Sequence, residues 1–231
     1  MQLYDRRENE NNVEYAYRVV RRNIMTLQMI PGTRISVDDI MKQLNMPVQI
    51  VREVTDKLED ELLMQSAARD VLMVTKIDIS VFREGFFMRS VVEPKLIEQL
   101  AGYASTKGIE RLNENLIMQK ALIEGTEGDV EEFFHLDDDF HRIIYHLAGK
   151  PNIWNAVRRV CTHYDRIRFL DIIENQIDLK GTYEEHQRIA DYLFTGIPEK
   201  SDIHEFYETH LGTYLRNLLQ LMEEHPEYFV S

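Results

Sequence analysis

The chain has 231 residues, 44% hydrophobic and 29% charged, with a formal net charge of −13 and a single cysteine, Cys161. No apolar run approaches the ~20 residues of a membrane span, the opening MQLYDRRENENN lacks the apolar core of a signal peptide, and one cysteine cannot form an internal disulfide, so a cytoplasmic protein with no membrane partner is expected. The acidity is uneven: residues 1–76 hold 11 Lys+Arg against 12 Asp+Glu, a net of −1, and the remainder holds 16 against 28, a net of −12.

From Val13 to about Met29 apolar residues recur at helical spacing through Ala16, Val19, Val20, Ile24 and Leu27, and Pro31-Gly32 ends the pattern. Ser36 reads as the N-cap of a second helix carrying Ile40, Met41 and Leu44. Asn45-Met46-Pro47 interrupts, and a third helix runs from about Val48 to Leu62 through Val51, Val54 and Leu58. The polar stretch Gln65 to Asp70 and the run Val71-Leu72-Met73-Val74 predict a two-stranded ribbon. Three helices and a ribbon are the plan of a winged helix-turn-helix. Beyond Ser80 the pattern predicts six amphipathic helices, at about 82–104, 108–124, 129–148, 152–174, 182–195 and 201–224, separated by turns that include Gly125-Thr126-Glu127-Gly128. The expected protein is mainly α: a winged helix-turn-helix domain over residues 1–78 and an all-α antiparallel helical bundle over 79–231.

The segment PGTRISVDDIMKQLNMPVQIVREVTDKLEDELL resembles the DNA-binding domain of the GntR family of bacterial regulators, with Pro31, Gly32, Ile35, Leu44, Val51, Arg52, Glu53 and Leu58 on matching positions. MRSVVEPKLIEQLAG, DDDFHRIIYHLAGKPNI, EEHQRI and THLGTYL resemble the helical effector domain of the FadR-like subfamily, the FCD domain. The resemblance implies a transcriptional regulator whose helical domain binds an effector and dimerises. The chain also departs from the pattern. Val48 stands where an arginine usually reaches DNA, Leu62 replaces the usual glycine ahead of the wing, and Ala67-Ala68-Arg69-Asp70 lacks the usual Arg-Gly pair.

A recognition helix presents its N-terminal residues to base edges while basic side chains grip phosphates. Gln49 can pair with adenine and Arg52 with guanine or a phosphate; Arg34, Lys42, Lys57 and Arg69 are the candidate phosphate contacts. The same six residues also fit ordinary solvated positions on a small helical domain. One such module holds a half-site weakly, so a homodimer on a double-stranded, palindromic operator is expected.

Asp137 and His141 lie four residues apart on a helical stretch and project from one face. His186 precedes Ile189, Ala190 and Leu193, and His210 sits among Phe206, Tyr207 and Leu211. A buried carboxylate beside histidines is costly unless it is paired or bound to a cation, and this donor set suits Zn²⁺, Ni²⁺ or Mn²⁺. Each histidine taken singly fits a hydrogen-bonded core or surface residue better than a ligand; in the resembled subfamily these four positions are the metal ligands. Arg89 has two readings, a bond to an effector carboxylate or an i,i+4 salt bridge to Glu93. The effector class implied by the resemblance is a small organic acid or sugar acid.

Two enzyme classes compete, a metal-dependent hydrolase and a helical-bundle oxidase. His-Glu-x-x-His is absent, and only Glu132-Phe133-Phe134-His135 fits half of a di-metal site. No nucleophile elbow, phosphate loop or dinucleotide fingerprint occurs. A degenerate regulator acting through protein contacts is the third alternative.

Overall fold

The computed structural model describes residues 1–125, 130–175 and 179–230, apart from the side chain of Tyr214. Of the predicted turn at 125–128 only Gly125 falls within them, and residue 129, the predicted start of the third bundle helix, lies outside. The described chain is mainly α, and no helix in it is long and apolar enough to cross a membrane. It forms two compact units.

The first unit comprises Met1–Arg83, Arg159–Leu170 and Asn217–Ser231. Helix α1 (Asn12–Met25) opens with a capping box in which Asn11 and Glu14 satisfy each other's backbone N–H. Strand β1 (Arg34–Ser36) leads into α2 (Val37–Leu44), capped as expected by Ser36, whose hydroxyl accepts from the Asp39 N–H at 3.0 Å. Helix α3 (Val48–Asp60) and strands β2 (Met64–Ala68) and β3 (Val71–Val74) follow. The sheet has three antiparallel strands in the order β1-β3-β2, not the expected two. Three residues beside the Pro31-Gly32 turn are too few for β1 to announce itself by alternation. Val19, Val20, Ile24, Ile40, Val51, Val54, Leu58, Leu63 and Val74 close the core.

Two later stretches complete this unit. Helix α8 (Thr162–Asn175) begins in it. Thr162 Oγ1 donates to the Glu61 carbonyl at 3.0 Å, and Arg166 donates to the Thr75 carbonyl at 2.8 Å. His163 accepts the Asp78 N–H on Nδ1 at 2.9 Å, so Nε2 is its donor, to the Leu62 carbonyl at 3.1 Å. At the C-terminal end, Ile77 and Phe229 form a parallel bridge. The loops at both ends of the wing are thereby held by hydrogen bonds from distant sequence.

The second unit, Glu84–Arg158 and Asp171–Arg216, is helical. It contains most of α4 (Ile79–Leu100), then α5 (Thr106–Glu124), α6 (Val130–Leu147), α7 (Pro151–Val160), α9 (Leu179–Thr195) and α10 (Ile203–Gly212). The predicted helix 152–174 is two helices, α7 and α8, separated at Cys161. The break was silent because Trp154, Val157, Cys161 and Tyr164 keep helical spacing across it, all four buried. The predicted last helix is likewise divided into α10, a 3₁₀ turn at Thr213–Leu215 and α11 (Leu218–Glu224), the last belonging to the first unit. Gly108 lets α5 pack closely on α6, since a Cβ there would overlap the Leu147 side chain.

Candidate metal centre

Within the second unit, Asp137 and His141 on α6, His186 on α9 and His210 on α10 converge. All four are buried, none more than 5% exposed. One donor nitrogen from each histidine lies within 4.8 Å of the other two. His141 Nε2 and His210 Nε2 are 3.5 Å apart, and Asp137 Oδ1 is 3.4 Å from His186 Nε2. The i,i+4 spacing on α6 produces the first pair, while the other two imidazoles arrive on helices that meet α6 only in the tertiary fold.

Each imidazole is oriented from behind. His186 Nδ1 lies 2.9 Å from Gln119 Oε1 and His210 Nδ1 lies 2.6 Å from Glu185, both in hydrogen-bond geometry, while His141 Nδ1 lies 2.8 Å from Glu93 in an ion-pair contact outside that geometry. Phe140 stacks on His186, with ring centroids 4.4 Å apart. Anchoring Nδ1 turns Nε2 toward the common centre, the arrangement in which a histidine serves a metal. Burial pushes the His186 imidazole down to about 3 and lowers that of His141, so both are neutral and offer lone pairs.

Beside this set, Arg89 and Glu93 on α4 form a fully buried ion pair at 2.7 Å. Burial alone would raise the Glu93 carboxyl, but the Arg89 guanidinium and then His141 outweigh it and hold it well below the usual carboxylate range. The buried Tyr145 hydroxyl is 3.4 Å from the same carboxylate. Of the two readings of Arg89, the i,i+4 pair with Glu93 is formed here.

The residues fit a divalent cation. His186 Nε2 is buried without a hydrogen-bond partner, a costly state for a polar atom unless a ligand takes it up. The Asp137 carboxylate lies among the imidazoles, 3.4 Å from His186 Nε2, and Arg89 pairs with Glu93. A borderline metal ion satisfies this donor set. Glu185 and Gln119, which back His210 and His186, were missed in the sequence. Asn115 and Gln119 did carry a signal, as polar residues in the seam that Leu112 and Leu116 define.

The six candidate DNA contacts all lie exposed on the first unit. Gln49 is on the first turn of α3. Lys42 is 2.5 Å from Asp38, Lys57 is 2.9 Å from Glu53, and Arg52 is 2.7 Å from Asp70. Arg34 is on β1, and Arg69 projects from the wing with its side chain 97% exposed. Asp70 takes a left-handed conformation, φ 57°, so Arg69-Asp70 supplies the turn expected of an Arg-Gly pair. A groove of about 260 Å³ between α3 and the wing is lined by Arg52 together with Asp56, Glu59 and Asp70.

A winged helix-turn-helix head joined in one chain to a histidine-centred helical bundle defines a transcriptional regulator of two-part build. The model of the FCD domain matches residues 84–202, just over half of the chain. The chain belongs to this family, as a FadR-like member of the GntR regulators, and is not an enzyme. It is 29% identical over 154 residues to the HTH-type transcriptional repressor RspR of Escherichia coli K12, covering 67% of each chain. It is 26% identical over 216 residues to an HTH-type transcriptional regulator in an unstable DNA locus of Streptomyces ambofaciens, covering 93% of this chain and 88% of that one. The crystal structure of a GntR regulator from Rhodococcus sp. RHA1 has the same fold, with a TM-score of 0.66 at 20% identity over 91% of this chain and 97% of that one.

Proposed function

We propose that the protein binds operator DNA as a homodimer and senses a small organic acid or sugar acid through a divalent metal ion in its helical domain. In this reading residues 1–78 contact DNA and residues 79–231 bind the effector and dimerise. The observation that carries it is the meeting of three imidazoles and a carboxylate from α6, α9 and α10 around one buried point. Asp137, His141, His186 and His210 would hold the ion, with Zn²⁺, Ni²⁺ and Mn²⁺ the fitting choices. When bound, it supplies a Lewis-acidic anchor for a carboxylate. Arg89 shares its guanidinium between Glu93 and the incoming acid, adding a charge-assisted bond. Glu93, Gln119 and Glu185 hold the imidazoles in place, so the site is formed before the effector arrives.

In the head, Gln49 and Arg52 read bases, and Arg34, Lys42, Lys57 and Arg69 contact phosphates. Effector binding would act by favouring one arrangement of the two heads over another. Genomic SELEX with the purified protein, with and without chelator, tests the proposal. Enrichment of a palindromic site that changes with chelator supports it; no enrichment in either arm contradicts it.

A second reading is favoured by one specific observation. Lys42, Arg52 and Lys57 each face a carboxylate of their own unit within 3 Å, which weakens the pull on phosphates and suits a regulator acting through protein contacts. Loss of all duplex binding at low salt would select it.

A further inference from the structure

Asn115, Gln119 and His186 form a polar chain across α5, α6 and α9, and its direction follows from its far end. The Leu136 carbonyl, one residue before Asp137, can only accept. Asn115 must therefore turn its amide nitrogen to it, at 3.0 Å. That leaves the Asn115 oxygen to accept from Gln119 Nε2, at 2.7 Å. The Gln119 oxygen then faces His186 Nδ1, at 2.9 Å, where only an N–H is favourable. With Nδ1 protonated and the ring neutral, Nε2 carries the lone pair. Reversing either amide would set two oxygens or two N–H groups against each other at a buried position, where Asn115 and Gln119 are 4% and 0% exposed.

We propose that this chain is a positioning relay: a backbone carbonyl of α6, read through Asn115 and Gln119, fixes the tautomer of His186 and aims Nε2 at the centre. The other two histidines need no such relay, because Glu93 and Glu185 are acceptors whichever way they turn. His186 alone is backed by an amide, which could in principle present either face. Its competitor is Asp137, whose Oδ1 at 3.4 Å would draw the proton to Nε2 if Gln119 were lost. The relay itself concerns the protein without metal; its consequence for ion binding rests on the metal reading above.

The test has two readouts. Imidazole ¹⁵N chemical shifts of His186 in chelator-treated protein give the tautomer, and titration of Zn²⁺ against a chromophoric chelator gives affinity. The wild type is expected as the Nδ1–H form. Gln119→Leu is expected to shift toward Nε2–H and to bind Zn²⁺ about 10–100-fold more weakly. Gln119→Glu keeps an acceptor for His186 at the same reach, although it sets an oxygen against Asn115 Oδ1, and is expected to restore the Nδ1–H form, a rescue that loss of packing alone would not give. A wild-type His186 in the Nε2–H form, or a Gln119→Leu variant with unchanged tautomer and affinity, overturns the relay. A wild type that shows the Nδ1–H form, loses it in Gln119→Leu and takes up no Zn²⁺ supports the relay and overturns the metal reading alone.

Discussion

Asp70, at the tip of the wing, accepts a hydrogen bond from the Arg52 guanidinium of the recognition helix at 2.7 Å. Both side chains are about half exposed, so the pair is loosely held and open to competition. It places a carboxylate where phosphates are expected. Asp70→Asn removes that charge while keeping a residue that tolerates the left-handed conformation. The variant is expected to bind any duplex more tightly, with the slope of log affinity against log salt steeper by about 1. Its advantage should shrink about threefold between 50 and 200 mM salt, the loss expected of one added phosphate contact. Fluorescence anisotropy with an arbitrary duplex measures both; an unchanged slope contradicts it.

Leu62 is also left-handed, φ 58°, at the position where related heads carry glycine. A leucine held there is disfavoured by roughly 1–2 kcal/mol, and its half-exposed side chain returns little in packing. Glycine gives back part of the gain through its freer unfolded chain. Leu62→Gly is expected to stabilise the protein by about 1 kcal/mol or somewhat less, raising the urea midpoint without changing the slope. A lower midpoint would show that the leucine contributes more than its conformation costs.

The substitution was visible in the sequence, but its strain was not, because conformation at a loop residue is set by the elements on either side. The same division runs through the molecule. The helices of the head and the Ser36 cap were legible because capping and 3.6-residue periodicity are local. Asp137, His141, His186 and His210 stand in apolar seams, but as a set they were legible only through the family resemblance, since each histidine taken singly reads as a core or surface residue. What was not legible depends on tertiary contacts. The short β1, the break at Cys161 within unbroken periodicity, and the meeting of Gln119 with His186 across 67 residues of chain have no local signature.

His163 gives the head a pH dependence. Burial, with the nearby Arg166 charge, pushes its imidazole down to about 4. The unfolded chain then binds the extra proton below the ordinary histidine value of ~6.5 and the folded protein does not. The stability is therefore fully present above about pH 6.5 and is lost as pH falls toward 4, to a total of about 3 kcal/mol. His163→Gln cannot take up the proton. Its deficit against the wild type, measured by urea unfolding, should narrow by about 2 kcal/mol between pH 7 and pH 5. A constant deficit would contradict the assignment.

The buried pair of Arg89 and Glu93 makes a further claim on stability. Removing one partner strands the other charge in the core, which typically costs 3–5 kcal/mol. Arg89→Met should therefore lower the thermal midpoint steeply, and Arg89→Met with Glu93→Leu should recover part of the loss. A double variant no more stable than the single one would show that Glu93 is needed mainly for His141.

The central claim is that Asp137, His141, His186 and His210 enclose a cation. Elemental analysis of protein purified without chelator, wild type beside His186→Ala, tests it most directly. The account predicts about one divalent ion per chain in the wild type and little or none in the variant. Equal and negligible metal in both would contradict it.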